Sequence, residues 1–173
     1  MVIVSDTTTI SNLFLINRLD ILQQLYGHII LPTAVFLELE KLETMGVSIH
    51  KIKNADWIEV KSVRNPDIVL LLSEVLDSGE AVAIALAREL KADLLIIDEL
   101  KGRNYAKKMN IAIIGLVGIL LQAKEETLIP NVKDILDELR DTAGFWLNQN
   151  LYQKAIELAA RSRGPRIADP KNV

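Results

Sequence analysis

The chain has 173 residues, a formal net charge of −3 and no cysteine. That length suits one domain with its own core, and the lack of thiols excludes disulfide stapling, cysteine-bound zinc and thiol nucleophiles. A weakly negative charge gives no global attraction to phosphate, so any nucleic-acid contact must be local, although bound cations can reverse the sign of an acidic site.

The first apolar residues reach Asp6 at once, without the basic and long apolar regions of an export signal. The longest apolar stretches, such as 111–121, fall short of the roughly 20 residues that cross a bilayer. A soluble, cytoplasmic protein is expected.

Val2 to Ser5 reads as a short buried strand ending at Asp6, and the threonines at 7, 8 and 9 are suited to cap the next helix. His28 to Leu31 is a second strand, broken by Pro32 before a helix to about Met45. Trp57 to Val60 is a third. Asp77-Ser-Gly introduces a helix from Glu80 to Lys91, and the apolar strand from Asp93 to Ile97 ends on a second aspartate, Asp98. Helix resumes over 99–109, and the strand Ile111 to Ile114 leads through Gly115 into a helix ending near Glu126. Continuous apolar strands alternating with helices imply an α/β fold with a parallel sheet covered on both faces. After Ile129-Pro130 come two amphipathic helices, 132–140 and 151–161, joined through Gly144-Phe-Trp-Leu-Asn.

In such sheets ligands bind outside the carboxyl ends of the strands, which puts Asp6 and Asp98 first among candidates. Either could instead simply cap the helix that follows. At about 100° per residue, Val35, Leu39 and Leu42 form one stripe and Glu38 falls roughly 60° from Val35, so Glu38 can lean inward. Glu40 and Glu43 point further round and read as solvated charges. Glu80 shares its face with Ala83, Ile84 and Ala87 and is directed inward, although Asp77-x-x-Glu80 also has the form of a capping box.

Bringing such carboxylates together is unfavourable, since two charges about 4 Å apart repel by roughly 4 kcal/mol at an effective dielectric near 20. A cation or protons must compensate. Oxygen ligands without histidine or cysteine favour Mg²⁺ or Mn²⁺ over zinc, and His28 in a strand and His50 in a loop read as structural or exposed. Carboxylate-held divalent ions suit phosphodiester hydrolysis. No Gly-x-Gly-x-x-Gly or Gly-x-x-x-x-Gly-Lys motif points to nucleotide binding. A phosphoryl-accepting α/β domain with a strand-end aspartate would want a second aspartate where Thr8 stands.

The segments Val4-Ser-Asp-Thr-Thr-Thr-Ile-Ser-Asn-Leu, Leu31-Pro-Thr-Ala-Val-Phe-Leu-Glu-Leu, Gly79-Glu-Ala-Val-Ala-Ile-Ala-Leu-Ala and Leu95-Ile-Ile-Asp-Glu-Leu-Lys-Gly-Arg, in this order and spacing, resemble bacterial and archaeal PIN-domain proteins. Ile114-Gly-Leu-Val-Gly-Ile-Leu-Leu-Gln-Ala-Lys and Gly144-Phe-Trp-Leu resemble a subgroup of them with a longer C-terminal part. The resemblance covers most of residues 2–160. It implies a PIN-like three-layer α/β/α domain over 1–147, a helical extension over 148–162 packed on the same domain, and a flexible tail over 163–173.

By the same resemblance, Asp6, Glu38, Glu80 and Asp98 are the metal-site acids of an Mg²⁺- or Mn²⁺-dependent endoribonuclease. Asp6, Glu80 and Asp98 would hold the ion, Glu38 would complete the shell or orient the attacking water, and Glu99 is a further ligand or outer group. Thr8 takes the hydroxyl position after the first aspartate. Lys101 and Arg103, with Lys107 and Lys108, are candidates to hold the RNA backbone or else form a solvated helix face. Glu80 and Glu99 stand where aspartates are common, and Leu116 stands where a threonine is expected. VapC-type members of this superfamily are toxins restrained by an antitoxin, so a protein antitoxin and a homodimer are implied partners besides RNA. The alternative is a weakly active or inactive PIN-like module that binds RNA or protein.

Overall fold

Residues 1–161 are described by a computed structural model of the chain; the expected tail at 163–173 and the last residue of the expected extension lie outside them. The elements run β1 (Ile3–Ser5), α1 (Thr7–Leu15), α2 (Asp20–Tyr26), β2 (Ile29–Pro32), α3 (Thr33–Thr44), α4 (His50–Lys53), β3 (Ile58–Lys61), α5 (Pro66–Ser73), α6 (Ser78–Glu89), β4 (Leu94–Ile96), α7 (Leu100–Lys108), β5 (Ile113–Ile114), α8 (Leu116–Glu125), α9 (Val132–Ala143) and α10 (Gln149–Arg161). The strands form one parallel sheet in the order β3-β2-β1-β4-β5.

Alternation along each strand divides the core between the two faces of this sheet. Ile3, Ile29, Leu31 and Ile96 join an apolar cluster with residues of α1, α2, α8, α9 and α10, whereas Val4, Ile30, Leu95 and Ile97 join a second with α5, α6 and α7. Successive side chains of a strand point to opposite faces, and helices must cover both. The result is the expected three-layer α/β/α arrangement. Val132, Leu139 and Ala155 lie fully buried or nearly so in the first cluster, so α9 and α10 contribute to the same core as the sheet. Among the described residues no helix is long and apolar enough to cross a membrane.

Several expectations are corrected in detail. Asp6, not the threonines, is the N-cap of α1, and Thr7 to Thr9 are its first turn. Pro32 ends β2 rather than breaking it earlier, and His28 lies just before that strand, exposed and 3.6 Å from Glu59. His50 opens α4 instead of sitting in a loop. Glu40 and Glu43 lie at the surface as expected, where Lys53 pairs with both at 3.0 and 2.9 Å. The stretch before α6 contains a helix the periodicity reading passed over. It had a visible start signal, with Asn65 accepting from Asp67 N–H at 3.1 Å and Pro66 at the first turn, where its missing N–H costs nothing.

Candidate metal centre

The strand order places β1 and β4 side by side, with β2 and β3 to one side and β5 to the other. Successive connections from β1 turn opposite ways here, so the loops leaving β1 and β4 splay apart and open a crevice at their carboxyl ends. Ser5 pairs with Ile96, and the Asp6 N–H donates to Ile96 O at 3.0 Å. Asp6 and Asp98 therefore leave neighbouring strands at the same end of the sheet. Glu38 arrives on the second turn of α3, which packs against both α1 and α6, and Glu80 on the first turn of α6.

A cavity of about 250 Å³ lies there, lined by five carboxylates, Asp6, Glu38, Asp77, Glu80 and Glu99, and by the hydroxyls of Thr7, Thr8 and Ser11. Among the described residues no lysine, arginine or histidine lines it. Three of the four primary candidates thus share one cavity. Asp98 stands behind the wall, facing a neighbouring groove to which Thr8 and Glu99 also belong. As the side chains stand, no three of the described acidic residues close to a ligating arrangement, and the mutual repulsion of like charges works in that direction.

Burial sets the electrostatics. Asp6 is 3% exposed, and its carboxyl is pushed up to about 7, first by burial and then by the charge of Asp98; the N–H groups of Thr9 and Asp98 partly offset this. The Asp98 carboxyl is also raised by burial, against the pull of Thr9, Leu116 and Arg103. Burial raises Glu80 as well.

The hydrogen bonds show which carboxylate oxygens are used in capping. Asp6 Oδ1 accepts from Thr9 N–H at 3.5 Å, a long cap bond that leaves the carboxylate largely uncommitted. Glu80 Oε2 accepts from Asp77 N–H at 3.2 Å, the reciprocal half of a capping box. Its other oxygen, Oε1, is buried without a partner, so Glu80 caps with one atom and offers the other. Asp98 does not cap α7, whose N-cap is Glu99. Instead its Oδ2 accepts from the Thr9 hydroxyl at 2.7 Å and its Oδ1 from Leu116 N–H at 2.9 Å. The hydroxyl expected at 116 is thereby replaced by a backbone N–H at the start of α8, where a negative charge is favoured. Glu38 is exposed at the rim and accepts from the Thr7 hydroxyl.

The sequence reading gives Thr8 a site role and Thr7 and Thr9 only a capping one. Thr8 is exposed between the two cavities, whereas Thr9 is buried and holds Asp98. Asp77 was read only as a helix cap. Arg103 is not a free surface cation; one guanidinium nitrogen donates to Ile97 O at 3.0 Å. Lys101, Lys107 and Lys108 are exposed on α7, and Lys108 lies 5.1 Å from the Tyr105 ring centre.

Two glycines make these approaches possible. A Cβ on Gly102 would lie 2.6 Å from both Glu80 Oε1 and Ile97 Cδ1, and one on Gly115 would lie 2.7 Å from Asp98 Oδ1 and 2.5 Å from an Arg103 nitrogen. Gly102→Ala is therefore expected to destabilise the fold by about 1–3 kcal/mol through overpacking. Urea unfolding measures this; a midpoint equal to that of the wild type would mean that α7 can retreat from Glu80 at no cost.

A family model described as DUF3368, PIN domain, matches residues 2–161. No curated protein matches the chain.

Proposed function

Since the chain belongs to the PIN-domain family, whose members are generally nucleases, we propose that it is a divalent-metal-dependent endoribonuclease acting at the acidic cavity. The observation that carries this reading is the set of five carboxylates on one cavity with, among the described residues, no lining cation and no hydrogen-bond partner for the buried Glu80 Oε1.

The residues fit a hard divalent cation. Every donor is oxygen, as Mg²⁺ and Mn²⁺ prefer. A buried carboxylate oxygen without a hydrogen bond is costly unless a cation or proton meets it. Asp6 and Glu80 would hold the ion, with Asp98, Glu38 and Glu99 completing its surroundings. A bound cation supplies charge to a phosphodiester under attack and acidifies a water molecule.

The chain's own groups do the rest. Thr9 and Leu116 N–H fix the Asp98 carboxylate, so its charge stays beside Asp6. Glu38, exposed at the rim and oriented by the Thr7 hydroxyl, would take the proton of an attacking water. Asp6, buried between them, supplies a charge that becomes fully available only when a cation opposes its desolvation.

The test is cleavage of a panel of single-stranded RNAs with Mg²⁺, Mn²⁺ or EDTA, by wild type and Glu80→Gln. Cutting is expected with either metal and none with EDTA. Glutamine keeps the acceptor for Asp77 N–H but loses the charge, so the Mn²⁺ concentration for half-maximal cutting should rise by roughly tenfold or more. A folded protein that neither cuts nor binds Mn²⁺ would be a PIN-like binding module instead.

A further inference from the structure

A larger groove, about 690 Å³, adjoins the acidic cavity and shares Thr8 and Glu99 with it. Its size suits a ligand of one or two nucleotide units. One side is the first turn of α7, with Leu100 and Arg103; the other is the connection from α9 to α10. Gly144 ends α9 in the left-handed region, at φ 70° and ψ 22°, and so turns this connection back over the groove.

The connection buries only part of itself. Phe145 and Leu147 pack against the core cluster, while Trp146 is 77% exposed and Leu100 69% exposed. Two large apolar side chains held in water on the lining of one groove mark a contact surface. Among the described residues Arg103 is the one cation lining the groove. Of its five N–H donors one is used by Ile97 O, which fixes the guanidinium and leaves others for an anion. Asn148 adds an amide able to meet a polar edge.

The groove's lining therefore combines carboxylates next to the acidic cavity, one held guanidinium and an exposed indole. A nucleotide has complementary parts, a phosphate joined to a planar base with a hydrogen-bonding edge. We propose that this groove binds an unpaired base of single-stranded RNA beside the phosphodiester at the acidic cavity, with Trp146 stacking on the base and Arg103 holding the adjoining phosphate. The inference rests on the reading of that cavity as the place where RNA is cut. A second copy of the chain is the poorer occupant, because the groove is concave and charged at its inner end.

The test uses fluorescence anisotropy of a labelled short single-stranded RNA with Mg²⁺, in an Asp6→Asn background that keeps the strand intact. Trp146→Ala is expected to weaken binding roughly tenfold or more, and Trp146→Phe, which keeps a stacking ring, by much less. An RNA lacking one base next to the cleavage position should lose a similar factor with Trp146 present, and nothing further with alanine there. Because Trp146 is exposed, thermal melting of the variant should match the parent. Unchanged affinity in Trp146→Ala overturns the proposal, and does so alone if the wild type still cuts RNA. A dimer that dissociates in Trp146→Ala with RNA affinity intact also overturns it, assigning the face to a second copy. Base-dependent loss of binding in a protein that never cuts upholds the base site while the nuclease reading falls. Absence of single-strand binding in every variant overturns both.

Discussion

An Asp98→Asn variant is expected to lose on the order of 10²-fold or more in kcat/KM for single-stranded RNA while remaining folded. The substitution removes one charge and little else. Asparagine Oδ1 can still accept from Leu116 N–H, and its amide can donate to the Thr9 hydroxyl, which rotates to accept instead of donate. The link from β4 to α1 and α8 thus survives, and the loss falls on electrostatics at the crevice. A steady-state comparison at saturating Mg²⁺ would show it, with urea unfolding run in parallel. If Asp98→Asn cuts as fast as wild type with unchanged stability, Asp98 is only a structural acceptor tying these elements together.

Asp6→Asn should raise, not lower, the stability of the metal-free protein at neutral and alkaline pH. The Asp6 carboxyl rises from an ordinary 3.8 to about 7 in the fold, through burial first and the Asp98 charge second. The folded state therefore holds its proton over a range in which the unfolded chain has released it. Below about pH 4 both states are protonated and the side chain costs nothing. Between about 4 and 7 stability falls as pH rises, and above 7 the loss levels off at up to about 4 kcal/mol.

An amide does not titrate, so the variant should gain on wild type across that window and melt several degrees higher at pH 8 in EDTA. Mn²⁺ should reverse the ranking by stabilising wild type more than the variant, because an ion that binds only the folded state adds stability by mass action. Melting curves of both proteins from pH 4 to 8, with and without metal, decide the matter. Parallel pH profiles in EDTA would mean that Asp6 ionises in the fold without penalty, through relaxation or water at the crevice.

The sequence made the strand-end acids legible because a buried parallel strand is a continuous apolar run, and an aspartate closing such a run has few other places to be. Asp6 and Asp98 stand out for that reason, and Glu80 because Ala83, Ile84 and Ala87 repeat at helical spacing on its face; Asp6 and Glu80 are buried and Asp98 partly so. Glu38 was legible only as an edge position. Helical period fixes the face that a side chain takes, but not the element that face meets, and Glu38 reaches the cavity from an exposed site by way of Thr7. The helices α2, α4 and α5 were missed because each is short, so its apolar pattern covers little more than one or two turns and no stripe can accumulate.

What the sequence determined by itself was the α/β alternation, the family resemblance and the identity of most acids near the crevice, since these depend on local period and on the order of segments along the chain. Tertiary structure decided which oxygens are free. That Glu80 Oε1 is left over beside Gly102, that Thr9 rather than Thr8 holds Asp98, and that Leu116 N–H replaces a missing hydroxyl all depend on distances between elements apart in the chain. The groove beside the acids joins the start of α7 to the turn after α9, and only the packing of α9 and α10 on the common core brings Trp146 and Leu100 to one groove. Local patterns specify what each segment buries; which segments share a cavity follows from how the buried faces fit together.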